Sequence, residues 1–323
     1  MSERAPASRD SPTTIPSIVQ RDYLLARMAT VRTGGEAEFF ARAGSGAQLR
    51  ELLAWARAAH VPVAVVGSGS NLLIADEGVR GLVVKLDRKL AVIQRDGPLR
   101  LVCGGGARLP AVAARAAQAG LSGIEFGVNI PGTVGGAVRM NANAYGGELA
   151  RTLEWVEVVT ANGSERREPA QLGFGYRRSS LAEGEIVARA SFALGESDPD
   201  TVKATLADMR ARRHEAQPQG IKTFGSTFVN PDDPRAEGRT AGQLLADAGC
   251  NGLAVGGARL TPKHANFVEN LGEATTADVL AVMAEGRRRV LERFGVALEP
   301  EVQVLGNVRW PWVGEPRGGG PKR

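Results

Sequence analysis

Cysteine and histidine are scarce in this chain. Two cysteines among 323 residues, Cys103 and Cys250, give no disulfide framework and fit a reducing, cytoplasmic setting. The three histidines, His60, His214 and His264, form no Cys/His group with metal-ligand spacing, so no metal is expected. Aromatics are 5% of the chain, too few to interleave a basic stripe of the kind that binds nucleic acid. The net charge of +5 sits partly in the terminal RGGGPKR and in Arg210, Arg212 and Arg213; a mild excess of this kind suits small anionic ligands. No apolar run approaches the roughly 20 residues that cross a bilayer. The opening MSERAPASRDSPTTIPS lacks the apolar centre of a secretion signal and reads as a polar tail. No nucleic-acid or membrane partner is expected, and the chain is read as a monomer.

Glycine is abundant, and it is concentrated. Residues 121–148, LSGIEFGVNIPGTVGGAVRMNANAYGGE, hold glycines at 123, 127, 132, 135, 136, 146 and 147 with few large apolar residues. Such a segment is expected to be neither an ordinary core strand nor an ordinary helix. Glycine lets other groups approach the backbone closely, and successive amides bind anions. The segment reads as a pyrophosphate cradle; the plainer alternative is a long loop with turn glycines. A second glycine loop, Gly67-Ser68-Gly69-Ser70-Asn71, follows the apolar VPVAVV. It lacks the third glycine of a Rossmann fingerprint, since Leu72 stands there, and an apolar run follows it instead of an amphipathic helix. It is expected to join strand to strand.

Around these loops the pattern is α+β. Ser45 with Gln48 reads as a capping box opening a helix whose face is Leu49, Leu52, Leu53 and Ala56, ending near His60. Strands are expected at 81–86, 99–103 and 186–194, a helix at 108–119, and a hairpin turning at Asn162-Gly163. Asp198 or Asp200 caps a helix to about 216, with Val202, Leu206 and Met209 buried and Arg210, Arg212 and Arg213 solvated. A strand near 223–229, helices near 240–248 and 276–294, and a strand near 302–306 follow; Thr275 with Asp278 caps the last helix and Gly295 ends it. The expected division is a disordered polar tail at 1–19, a cofactor domain at 20–195 in two parts (about 20–88 and 89–195), a C-terminal substrate domain at 196–308, and a basic tail at 309–323.

Three stretches are polar where their surroundings are not: Tyr176-Arg177-Arg178-Ser179, Gly225-Ser226-Thr227-Phe228-Val229-Asn230, and Leu298-Glu299-Pro300-Glu301-Val302. Arginine grips carboxylate and phosphate with a planar fork. A serine after glycine is unhindered and can give up its hydroxyl proton. A glutamate entering an apolar strand is costly unless something needs it. Each also has a structural reading, as a hairpin end, a turn serine and a solvated glutamate. No histidine neighbours Ser226, which leaves a Ser-His-Asp triad with little support.

Taken together, VVGSGSNLLI, IPGTVGGAVRMNANAYGGE, GYRRSS, GSTFVNP, KHANFVEN and LEPEV resemble the UDP-N-acetylenolpyruvoylglucosamine reductase family, in that family's order over about residues 20–306. The resemblance implies a two-part FAD-binding domain of the p-cresol methylhydroxylase type followed by an α+β substrate-binding domain. It implies NADPH as reductant and UDP-N-acetylenolpyruvoylglucosamine as substrate, reduced to UDP-N-acetylmuramate for peptidoglycan. Gly67, Ser68, Gly69, Ser70, Asn71, Pro131, Gly132, Thr133, Gly135, Gly136 and Asn141 would hold FAD. Arg177 would polarise the enolpyruvyl carboxylate, Ser226 would deliver the proton, and Glu301 would assist Arg177. Tyr176 and Asn230 would contact substrate. With every histidine outside the glycine loops, the FAD is expected to be non-covalent.

The sequence departs from the family's pattern in three places. Val229 stands where lysine is common, Asn251 where a basic residue is common, and Asn129 where glycine is frequent. The stretch between Arg177 and Ser226 is short for the branch with an extra substrate-covering loop, which points to the branch without it. Another FAD oxidoreductase of the same fold is the competing enzyme reading.

Overall fold

The computed structural model describes residues 14–312. The expected tails fall largely outside them, at 1–13 and 313–323. Their inner ends differ from expectation: Ile15 and Ile18 pack on apolar core, and Trp312 is 9% exposed.

The first layer is a sheet in the order β1-β2-β5-β3, built from β1 (Val19–Leu24), β2 (Glu36–Ala43), β3 (Val63–Val65) and β5 (Val79–Leu86). Helix α1 (Gly46–Ala58) buries Leu49, Leu52, Leu53 and Ala56 against Phe39, Leu82 and Val84 of this sheet. Ser45 Oγ accepts from the Gln48 amide at 3.3 Å, but the Gln48 side chain reaches back to Gly44 N, one residue before the cap. The loop 67–71 joins β3 to β4 (Leu72–Ile74), strand to strand as the sequence indicates.

The second layer is an antiparallel sheet, β12-β11-β13-β7-β6, from β6 (Ile93–Arg95), β7 (Arg100–Gly104), β11 (Leu153–Thr160), β12 (Gly163–Arg167) and β13 (Ile186–Ala193). Thr160 pairs with Gly163, so the hairpin turns at Ala161-Asn162, one residue before the expected pair. Helix α2 (Leu109–Gln118) packs Leu109, Val112 and Ala116 into this layer's core. The glycine-rich segment supplies two-residue strands, β8 (Leu121–Ser122), β9 (Asn143–Ala144) and β10 (Gly147–Glu148), and against expectation a short helix, α3 (Val134–Arg139). Thr133 caps it through Gly136 N at 3.4 Å, and Val134, Ala137 and Val138 give it a buried face.

After β14 (Gly195–Glu196), helix α4 (Pro199–Ala216) is capped by Asp198, which accepts from Thr201 N at 2.8 Å. Helix α5 (Ala241–Asp247), strands β15 (Ala254–Val255), β16 (Ala258–Leu260) and β17 (Val268–Asn270), helix α6 (Thr276–Phe294) and β18 (Gln303–Leu305) complete the chain. Thr275 and Asp278 box the start of α6, and Gly295, at φ +69°, ends it. The expected strand at 223–229 is not a ladder. It makes single bridges, Ser226 with Phe267 and Phe228 with Pro300. Its backbone groups find other partners: the Asn266 side chain both donates to Phe228 O and accepts from Phe228 N, each at 2.9 Å.

Strand β18 pairs in parallel with β4, Gln303 opposite Leu72. One core joins Leu25, Phe40, Val66 and Leu73 to Phe224, Leu244, Met283 and Val290. It crosses the expected line at 195, so the C-terminal region and the first sheet are packed as one body. Among the described residues, no helix is long and apolar enough to cross a membrane, and no His/Cys/Asp/Glu group could hold a metal.

Candidate active site

A cavity of about 680 Å³ opens where the two layers and the C-terminal region meet. Both glycine segments wall it. Gly69 has φ +68°, and a Cβ there would stand 1.8 Å from the Met28 carbonyl oxygen, so no other residue fits. A Cβ on Gly67 would lie 2.6 Å from Thr133 Oγ1, which brings the 67–71 loop directly against the cap of α3. The serine hydroxyls of Ser68 and Ser70 lie 2.9 Å apart, and Asn71 Nδ2 donates to Glu301 O at 3.2 Å. Side-chain-free backbone facing a cavity of this size fits a dinucleotide cofactor with a diphosphate bridge.

Arg177, Ser226 and Glu301 line the same cavity. Arg177 Nε lies 2.7 Å from Glu301 Oε1. The contact is ionic: the N–H points off the carboxylate oxygen, and Nε has no hydrogen-bond partner. Arg177 Nη1 donates to Asn143 O at 3.2 Å. The arginine sits at φ +55° in a turn closed by Gly175 and Arg178, a left-handed conformation that a non-glycine residue holds only under constraint. Burial pushes the Glu301 carboxyl up from its ordinary range, and the Arg177 charge pulls it back. Ser226 reaches this wall because Gly225, at φ +87°, turns the chain, and because Thr227 O accepts from Glu301 N at 2.9 Å.

Most of the expected FAD contacts, from residues 67–71 and from Pro131, Gly132, Thr133 and Gly136, line the cavity. Gly135 lines a smaller adjoining chamber. Asn141 departs from expectation: it is fully buried, with Nδ2 donating to Glu148 Oε1 and Gly175 O and Oδ1 accepting from Ala150 N. Its amide is used up in holding the loop. Tyr176 is 55% exposed and lies outside the cavity wall, its ring 5.3 Å from the Arg177 guanidinium. Asn230 is exposed and accepts from Ala241 N at 3.1 Å, at the start of α5 and away from the wall.

Arg212, Arg213, Ala216 and Gln217, at the end of α4, line the cavity, and the sequence reading assigned none of them to the site. Arg213, read as solvated, is half-buried there and donates to Asn129 O; burial pushes its guanidinium below the ordinary arginine range. The spacing 202–206–209–213 would have placed it on the buried face. Gln217 brings a buried Oε1 without a partner to the same wall. Asn129 holds α4 in place, donating to Met209 O at 2.7 Å and to the Tyr145 hydroxyl at 3.2 Å.

Comparison with known proteins gives the family. The family model "FAD binding domain" matches residues 37–167, and "UDP-N-acetylenolpyruvoylglucosamine reductase, C-terminal domain" matches residues 217–305. A UDP-N-acetylenolpyruvoylglucosamine reductase of Agathobacter rectalis is 42% identical across 88% of this chain and 93% of its own. One of Anaeromyxobacter dehalogenans is 43% identical across 88% and 85%. The crystal structure of UDP-N-acetylenolpyruvylglucosamine reductase from Thermus caldophilus superposes with a TM-score of 0.76 at 38% identity, covering 89% of this chain and 98% of that one. The chain belongs to the UDP-N-acetylenolpyruvoylglucosamine reductase family and is an FAD-dependent oxidoreductase.

Proposed function

We propose that this protein reduces the enolpyruvyl group of UDP-N-acetylenolpyruvoylglucosamine to give UDP-N-acetylmuramate, with NADPH as reductant and non-covalent FAD as carrier, in the cytoplasm. The observation that carries the reading is the Arg177–Glu301 pair, 2.7 Å apart on the wall that also holds Ser226. Bound between residues 67–71 and Pro131, Gly132, Thr133 and Gly136, FAD would supply the two-electron chemistry, hydride transfer from NADPH to the terminal alkene carbon.

The protein's own residues handle the charge and the proton. Arg177 binds the carboxylate beside the alkene and stabilises the enolate-like charge that builds there. Its unspent Nε–H and its charge are held in place by Glu301. Ser226 delivers a proton from Oγ to the carbon next to the carboxylate, completing addition of one hydride and one proton across the double bond. Arg213, at the cavity wall, supplies positive charge toward the substrate's diphosphate. The glycine loops and the cap of α3 orient the cofactor.

The test is anaerobic. NADPH is added to the purified yellow protein until the flavin absorbance bleaches, and the enolpyruvyl substrate then follows. Prompt return of oxidised flavin absorbance, with one UDP-N-acetylmuramate formed per flavin, is the expected outcome. Reduced flavin that persists until oxygen enters would overturn the assignment.

A further inference from the structure

After β18 the chain turns back toward the core. Gly306 makes the turn at φ +86°, and a Cβ there would stand 2.6 Å from Gly78 O. The following residues run to α6, where Pro311 and Trp312 join Ala277, Leu280, Ala284 and Arg287 in lining an open groove of about 530 Å³. The Trp310 and Trp312 rings stack with centroids 5.3 Å apart. The Trp312 ring also packs against Phe228, centroid to centroid 6.4 Å at a tilt of 47°, and the Arg287 guanidinium stands 5.3 Å from it. Arg287 is buried, and its Nε donates to Leu298 O at 3.1 Å. Trp312 thus touches the supports of both segments that carry the site, since Phe228 is two residues from Ser226 and Leu298 three from Glu301. Those segments meet over a short pairing: Val229 N donates to Glu299 O and Glu301 N to Thr227 O, each at 2.9 Å, around a bridge between Phe228 and Pro300. A pairing of this length has little stability of its own, so the packing behind it decides how the two segments sit.

We propose that Trp312 is a positioning residue: as the anchor of a strap laid against α6, it fixes Phe228 directly and Leu298 through Arg287, and so sets the spacing between Ser226 and the Arg177–Glu301 pair. The aromatic contact holds the first segment. The ring face holds the guanidinium whose N–H holds the second. Removing the ring leaves a cavity into which Phe228 and Arg287 relax. A displacement on the order of 1 Å at reacting groups is enough to slow chemistry. The glycine loops that hold the cofactor are built on other elements. The inference rests on the roles given above to Ser226, Arg177 and Glu301.

Two measurements on the FAD-loaded Trp312→Ala protein test this. In stopped flow, oxidation of the flavin by the enolpyruvyl substrate slows about 10–100-fold, while its reduction by NADPH stays within about twofold of wild type. In hydrogen exchange, peptides spanning 226–230 and 298–302 exchange about tenfold faster, while those spanning 131–139 are unchanged. Trp312→Phe, which keeps an aromatic face, restores most of both. If Trp312→Ala does not fold, Trp312→Leu, which fills more of the space without an aromatic face, shows the same pattern. Equal slowing of the two half-reactions, or faster exchange throughout the chain, would make Trp312 an ordinary core residue and overturn the proposal. So would unchanged exchange in both site segments. Wild-type flavin that the substrate fails to oxidise would end the assignment of the reaction instead, and the exchange rates would still decide the strap.

Discussion

Arg177 and Glu301 meet at 2.7 Å although the first lies in the turn before β13 and the second two residues before β18. Each supplies what the other lacks: the carboxylate is buried and gains a counter-charge, and the arginine is kept from folding outward. Among the described residues, the 67–71 loop meets Glu301 only through its main-chain carbonyl, and Arg177 touches the 121–148 segment through a single hydrogen bond to Asn143 O.

Arg177→Lys therefore leaves FAD bound but slows flavin oxidation by the enolpyruvyl substrate, by about 10²–10³-fold, because lysine keeps the charge and loses the fork. The flavin spectrum and the second half-reaction, measured on the same sample, check this. Loss of flavin, or unchanged turnover, would make Arg177 a scaffold residue.

The flavin leaves the protein on acid or heat treatment. None of His60, His214 and His264 lies in either glycine loop. Yellow colour remaining in the precipitated polypeptide would contradict this.

Acid sensitivity has a named contributor. Burial holds the His264 imidazole below its ordinary value of 6.5. On acidification the unfolded chain takes up that proton first, so stability present above about 6.5 falls as pH drops through the folded pKa. Between pH 7.5 and 5.5 the wild-type Tm falls further than that of His264→Gln. Equal falls would place the sensitivity elsewhere.

Asp76 accepts from Thr276 N at 2.8 Å and from Ala277 N at 3.0 Å, tying the start of α6 to the end of β4. Asp76→Ala lowers stability by about 1 kcal/mol, seen as a lower urea midpoint with the flavin spectrum unchanged. A perturbed flavin spectrum would show that this tie shapes the cavity.

The helices other than α3 were legible because their ends are written locally. Asp198, Thr275 with Asp278, and Gly295 each act within one turn. The strand expected at 223–229 was misread because its pairing goes to the amide of Asn266, a side chain far along the chain. The β4–β18 pairing joins two three-residue strands, too short to carry a period and too distant to carry a turn signal. Within the site, the glycine loops announced themselves by composition. Asn141 did not reveal that its amide is spent inside the loop, and a run of three arginines hid Arg213, which is half-buried at the cavity wall beside the exposed Arg212. The juxtaposition of Arg177, Ser226 and Glu301 had no local signature and came from family resemblance alone.

Ser226→Ala tests the proposed chemistry most directly. Reduction of the flavin by NADPH needs no acid at the substrate's second carbon. Stopped-flow traces should therefore show that step near the wild-type rate, while oxidation of the flavin by the enolpyruvyl substrate slows by about 10²–10⁴-fold, with Ser226→Cys in between. Equal slowing of both steps, or of neither, would remove Ser226 from the mechanism.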